Sequence, residues 1–156
     1  MLKVAVITVS DRAFRGEYAD LSGPAVRDSL LETGPETRIV METVPDEKEK
    51  ITQALEKHLD CDWILTTGGT GISPRDVTPE ATREFCDREL PGVSEWLRRE
   101  SQAETPFAVF SRGTCGVKGN TIIVNLPGSV KGARFCTRLL RTVMEHGVGM
   151  IRGAGH

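Results

Sequence analysis

Residues 3–9, KVAVITV, are β-branched and nearly continuously apolar, the pattern of a strand buried on both faces rather than one with a wet side. Two further runs of this kind fall at residues 37–44 and 62–67. Between them the period lengthens. Residues 22–32 place Val26, Leu30 and Leu31 on one side of a helix, and residues 47–59 space Ile51, Leu55 and Leu59 by four. Strand, helix, strand, helix, strand with short junctions predicts a right-handed parallel βαβαβ arrangement. In such a sheet the carboxyl ends of the strands are where ligands bind.

Further along, Pro79 opens a helix predicted from Thr78 to about Arg88, and Pro91 opens another through Trp96 toward Gln102. Phe107 to Ser111 reads as a strand, residues 112–120 (RGTCGVKGN) as turn, and residues 121–126 (TIIVNL) as one more buried strand. A last helix is expected to start near Ser129. From Lys131 to Glu145 it carries Phe135, Leu139, Leu140, Val143 and Met144 as an apolar stripe, with Gly147 marking its end. The whole predicts an α/β fold over residues 1–156: a single-domain three-layer sandwich with a mostly parallel central sheet and helices on both faces. No internal repeat or low-complexity linker divides it.

Composition narrows the class. A chain of 156 residues has room for one core, and its 38% hydrophobic content is too high for a disordered protein. A net charge of -2 leaves no basic footprint for a nucleic acid. The opening apolar run meets Ser10 and Asp11 too soon for a signal peptide or a membrane span, so a cytoplasmic protein without a membrane partner is expected. Cys61, Cys86, Cys115 and Cys136 are scattered without a C-x-x-C pair, which favours reduced cysteines acting as small hydrophobes over disulfides or structural zinc. His58, His146 and His156 have no nucleophile or acid at motif spacing, so nothing local supports a catalytic triad. Trp63 and Trp96 are expected in the core.

Candidate chemistry gathers at the strand exits. Gly68, Gly69, Thr70 and Gly71, within TTGGTG, directly follow a buried strand; glycines there can turn with positive φ and present peptide N–H groups to phosphate oxygens. An ordinary glycine turn is the competing reading, because neither a dinucleotide fingerprint nor a P-loop is present. Asp76 follows within PRDVTPE and adds an acid beside a helix start. Asp46, within VPDE, ends another strand and could join Asp76 in holding Mg²⁺, or could simply cap the following helix. Ser10 and Asp20 belong to the exit of the first strand and its acidic loop, where Ser22 is a natural helix cap with Pro24 in the first turn. Asn125, Pro127, Gly128 and Ser129 join the last strand to the last helix, offering an amide and a helix amino terminus to an anion, or only a sharp turn.

Taken in order, TVSD, the acidic SGP loop, VPDE, TTGGTG, PRDVTPE, a P-F-x-x-x-S-R segment and N-L-P-G-S resemble the molybdopterin adenylyltransferase family, which includes the G domains of the plant molybdenum-insertion protein and of gephyrin. The resemblance spans nearly the whole chain. It implies transfer of AMP from Mg-ATP to the terminal phosphate of molybdopterin, with release of pyrophosphate. The family's two functional aspartates fall on Asp46 and Asp76, with Mg²⁺ at one or both, and a further family acid falls on Asp20. By the same resemblance Gly68 to Gly71 bind nucleotide phosphates, with Ser10 and Asp20 beside them, while Ser111, Asn125, Pro127, Gly128 and Ser129 face the pterin. A relative that lacks the VPDE aspartate in some bacteria is assigned no adenylylation, so Asp46 argues for the active branch. A homotrimer and a separate molybdenum-insertion protein as partner are also implied. A non-catalytic molybdopterin carrier and an interaction scaffold are the alternatives.

Overall fold

The computed structural model describes residues 1–154. Its strands are β1 (Lys3–Val9), β2 (Arg38–Val44), β3 (Trp63–Thr67), β4 (Arg88–Glu89), β5 (Cys115–Lys118) and β6 (Thr121–Leu126). The helices are α1 (Asp11–Phe14), α2 (Ser22–Thr33), α3 (Lys48–Lys57), α4 (Thr78–Phe85), α5 (Pro91–Ser101), α6 (Val130–Arg141) and α7 (Met144–Ile151), with a 3₁₀ turn at Pro106–Phe110.

All six strands join one sheet in the order β2-β1-β3-β6-β5-β4. β1 pairs in parallel with β2 and β3, and β3 pairs in parallel with β6. β5 and β4 extend the sheet antiparallel beyond β6. Alternate residues of the buried strands feed two cores. Val4, Val6, Leu65 and Val124 pack with Val26 and Leu30 of α2, Leu97 of α5 and Leu140 of α6. Ala5, Ile7, Ile64 and Ile123 pack on the other face with Ile51 and Leu55 of α3 and Ala81 of α4. A sheet covered on both faces needs apolar residues at every position, which is why β1, β3 and β6 read as continuous runs. From β1 the chain winds first to β2 and then back across to β3, so the crevice between the carboxyl ends of β1 and β3 is a topological switch point.

The structure corrects several local expectations. Residues 107–110 form a 3₁₀ turn, not a strand: Thr105 caps it by accepting the Phe107 N–H at 3.3 Å, and Phe107, Val109 and Phe110 stay exposed. The strand lies instead within the expected turn, where Cys115–Lys118 pair with β6 through a hairpin whose Gly119 adopts φ +57. The long final helix breaks after Arg141, where the Thr142 hydroxyl donates to the Leu139 carbonyl at 2.7 Å, and restarts as α7. Gly147 therefore ends nothing; it lies inside α7, where a Cβ would stand 3.0 Å from the Trp63 ring. Finally, α4 stops at Phe85, because residues 88–89 are taken into the sheet by β5.

Trp63 is buried and donates its indole N–H to the Met144 carbonyl at 3.1 Å, while Trp96 packs half-buried on the same core. Cys61, Cys115 and Cys136 are buried, Cys86 is half-buried, and all are free thiols. Burial pushes the Cys61 and Cys86 thiols up to about 11. Among the described residues no helix is long and apolar enough to cross a membrane. His156 lies outside the described residues.

Candidate active site

Two cavities adjoin at the carboxyl edge of the sheet. The smaller, about 230 Å³, opens at the switch point and is lined by Ser10 from the end of β1, Asp46 from the end of β2, Gly68 and Gly69 from the end of β3, Asp76 and Gly128. Sequence positions far apart meet here because parallel strands deliver all their exits to one edge. Thr8, Thr67 and Tyr18 also line it, with Val9 and Ser22. Thr8 and Thr67 lie within TVSD and TTGGTG but were not singled out as site residues, and Tyr18 lies in the acidic loop; the alternation of strand side chains and the return of the loop after α1 place them there.

Close contacts explain the glycines. Gly68 has φ +101, and a Cβ on it would stand 2.3 Å from the Val9 carbonyl oxygen. Gly69 has φ +67, and its Cβ would meet the Thr78 hydroxyl at 2.3 Å and Asp46 Oδ1 at 2.9 Å. At Gly71 a Cβ would stand 2.8 Å from Asp76 Oδ2. The turn is thus stripped of side chains where the two carboxylates approach it. Its shape is held by the Thr78 N–H and hydroxyl, which donate to the Gly69 and Gly68 carbonyls at 3.2 and 3.0 Å. Among the described residues, no protein acceptor takes the N–H groups of Gly69 and Thr70. Such free amides in a glycine turn suit an anion. Thr70 is itself buried beneath the turn rather than lining the cavity.

Asp46 does not cap α3; the cap position belongs to Glu47, which makes no side-chain bond there. Instead Asp46 and Asp11 clasp each other: the Asp11 N–H donates to Asp46 Oδ2 and the Asp46 N–H to Asp11 Oδ1, both at 2.9 Å. Arg75 closes the group with a bidentate pair to Asp11 at 2.9 and 2.8 Å. That hydrogen bond holds the Asp11 carboxyl below its usual range. Burial pushes the Asp46 carboxyl up, and the charges of Asp11 and Asp76 add to the effect. Asp76 keeps its loop in shape by accepting the Ser73 N–H at 2.9 Å with Oδ2. Asp46 and Asp76 each commit Oδ2 to a peptide N–H, leaving Oδ1 for a ligand, and two carboxylates on one cavity wall are a donor set that a Mg²⁺ ion accepts.

Asp20 stands one layer behind the cavity. It accepts the Thr8 hydroxyl at 2.6 Å and the Gly23 N–H at 3.0 Å, so it, and not Ser22, caps the start of α2. Ser10 caps α1 through the Ala13 N–H at 3.2 Å and lies 3.2 Å from the Tyr18 hydroxyl.

The larger cavity, about 320 Å³, lies between α5, the 3₁₀ turn and α6. Leu97, Phe107 and Phe135 give it apolar walls, Ser111, Pro127 and Ser129 also line it, and its charged residues are Arg98, Lys131 and Glu104, the last two paired at 3.5 Å. Asn125 lines it too, but both its amide donors are engaged: Nδ2 donates to the Thr66 and Thr82 hydroxyls at 3.0 and 2.9 Å, while Oδ1 accepts the Thr114 N–H at 3.2 Å. Its side chain therefore fixes the floor instead of reaching for an anion. Ser129 caps α6 by accepting the Gly132 N–H at 3.1 Å. The loop between β6 and α6 separates the cavities, turning Gly128 to the smaller and Pro127 and Ser129 to the larger.

A family model described as a probable molybdopterin binding domain matches residues 5–146. The chain belongs to this molybdopterin-binding family. Within it, the chain is 44% identical over 149 residues to the molybdenum cofactor synthesis protein cinnamon of Drosophila melanogaster, covering 94% of this chain and only 25% of that protein. It is 39% identical over 157 residues to the molybdopterin adenylyltransferase of Helicobacter pylori J99, covering 97% of this chain and 89% of that enzyme. Its fold superposes on a crystal structure of the molybdopterin biosynthesis enzyme MoaB from Thermus thermophilus with a TM-score of 0.90, 46% identity and 98% of each chain covered. The chain thus corresponds to nearly the whole of the smaller relatives and to one part of cinnamon.

Proposed function

We propose that this chain is a molybdopterin adenylyltransferase that joins AMP, taken from Mg-ATP, to the terminal phosphate of molybdopterin and releases pyrophosphate. The observation that carries the reading is the pair of adjoining cavities. One is polar, with two carboxylates and a bare glycine turn; the other is apolar and of a size to take a fused ring. They meet at the loop that carries Pro127, Gly128 and Ser129.

In this reading the pterin lies against Leu97, Phe107 and Phe135, with its phosphate at Ser111, Pro127, Gly128 and Ser129. The triphosphate of ATP lies on the Gly69 N–H against the wall of Gly68 and Ser10, with Thr70, Gly71 and Asp20 holding that wall from behind. A molybdopterin phosphate oxygen attacks the α-phosphorus of ATP in line; the new P–O bond forms as the bond to the β-phosphate oxygen breaks and pyrophosphate leaves with the electron pair. A Mg²⁺ ion held by Asp46 and Asp76 would neutralise charge on the phosphates. The protein's part is then positioning and fixed dipoles, which suffice for a transfer between two anions.

The family resemblance further supports a homotrimer in the cytoplasm and a separate molybdenum-insertion protein as recipient of the product, without nucleic-acid or membrane partners. The exposed Phe107, Val109 and Phe110 offer an apolar surface beside the larger cavity for such contacts. The test is incubation of the purified protein with molybdopterin and Mg-ATP. Pyrophosphate and adenylylated pterin are expected from wild type, with a loss of at least about 10²-fold in Asp76→Ala. Binding of molybdopterin without product from any nucleotide would replace the enzyme reading with that of a carrier.

A further inference from the structure

Arg112 lines neither cavity, yet it stands between them. Its guanidinium is committed to three separate points of the segment that carries Asp76. Nε donates to the Gly71 carbonyl at 2.8 Å, Nη2 donates to the Asp76 carbonyl at 2.8 Å, and Nη1 donates to the Glu80 carboxylate. The Arg112 peptide N–H adds a bond to the Thr70 carbonyl at 2.9 Å. Glycine turn, acid and helix start are therefore gripped by one residue.

The grip is braced from the other side. Ser111 and Gly113, the neighbours of Arg112, belong to the wall of the larger cavity, and Arg98 Nη1 donates to both their carbonyls at 2.9 and 3.2 Å. Glu80 depends on the same contact. Its Oε2 is buried with no hydrogen-bond partner among the described residues, and the hydrogen bond from Arg112 is the main cause holding the carboxyl below its usual range, with its own backbone N–H and the charge of Arg83 adding to it. Only a planar fork with donors on several edges can reach three acceptors lying in different directions; a lysine ammonium on a flexible stem cannot hold them in one plane.

The geometry points to Arg112 as a positioning residue for the proposed adenylyl transfer: by holding Gly71, Asp76 and Glu80 together from the wall of the larger cavity, it sets where the Asp76 carboxylate stands. The inference rests on the proposed function for its substrates, but the contacts do not. Because Arg112 lines neither cavity, its loss leaves molybdopterin binding alone and displaces the acid that handles the metal-nucleotide.

The experiment uses the full chain with Arg112→Ala and Arg112→Lys. The expected result is a fall in kcat of about 10²-fold with KM for molybdopterin little changed, as for a misplacement remote from the reacting atoms. Free guanidinium ion should restore much of the activity of Arg112→Ala and none to Asp76→Ala. A second readout needs no turnover: affinity for Mn²⁺ in the presence of ATP, followed by electron paramagnetic resonance, should weaken in both Arg112 variants. Should Arg112→Ala fail to fold, Glu80→Gln gives the same test, with a smaller loss of the same sign. Wild-type kcat and Mn²⁺-ATP affinity in Arg112→Ala, even with a lower Tm, would reduce Arg112 to a structural residue and overturn the proposal. So would a rise in KM for molybdopterin alone. If wild type binds Mn²⁺-ATP but makes no product, the adenylylation reading fails, and the Mn²⁺ arm alone still decides the role of Arg112.

Discussion

Asp46 shows how one side chain can look like a helix cap in sequence and prove to be part of a site. The carboxylate turns away from α3 to take the Asp11 N–H, and burial together with the nearby charges of Asp11 and Asp76 pushes its carboxyl up. Its titration, followed by NMR, should therefore lie above the ordinary 3.8. Neutralising its neighbour in Asp76→Asn should lower that value, and an unchanged value would mean that the two acids do not face each other. Gly69 makes a second argument at this scale. Alanine there needs a positive φ and a Cβ 2.3 Å from the Thr78 hydroxyl, so Gly69→Ala should cost about 1–3 kcal/mol and most of the activity. Gly92→Ala, where a Cβ meets nothing within 4 Å, should change neither by much in urea unfolding and activity assays.

Among the elements, those with an unbroken apolar run or a clear helical period were legible from the sequence: β1, β3, β6, α2, α3 and α5. The ones misread depended on partners. Phe107 to Phe110 look like a strand by residue type, but Pro106 lacks an N–H and no neighbouring strand takes them up. Cys115–Lys118 look like turn because glycines surround them, yet β6 supplies the ladder. The helix start expected near Ser129 is found there, and the Ser129 hydroxyl caps α6. Ser129→Ala should accordingly destabilise the fold by about 1 kcal/mol in urea unfolding. Because Ser129 also lines the larger cavity, the same variant should raise KM for molybdopterin, whereas a cap-only role would move stability alone.

For the molecule as a whole, the acids around the site pull stability in opposite directions with pH. The hydrogen bonds from Arg75 to Asp11 and from Arg112 to Glu80 hold both carboxyls below their unfolded values of 3.8 and 4.5. Their contribution is present above those values and is lost as pH falls through the lower folded ones. Asp46 has the reverse sign: its raised carboxyl favours the fold when protonated, and that part is lost as pH rises through its folded value. The expected net result is a urea midpoint that falls as pH drops below about 4.5, where the lowered groups dominate. Asp11→Asn should make that fall shallower. An unchanged slope would show that the exposed Arg75 contributes nothing to Asp11 in solution.

The sequence by itself determined where the continuously apolar strands β1, β3 and β6 run and which loops would lie at their carboxyl ends. Burial on both faces leaves an apolar run, and glycine and proline punctuate the exits. Those properties are local and can be read a few residues at a time. Only the tertiary structure decided what those loops do to one another: that Asp46 clasps Asp11, that Asn125 is committed to Thr66 and Thr82, and that Arg112 holds the segment bearing Asp76. The reason is reach. The bonds of Arg75 to Asp11, Arg112 to Gly71 and Asn125 to Thr66 join residues 64, 41 and 59 positions apart, and no periodicity in one strand or helix encodes a partner delivered by another.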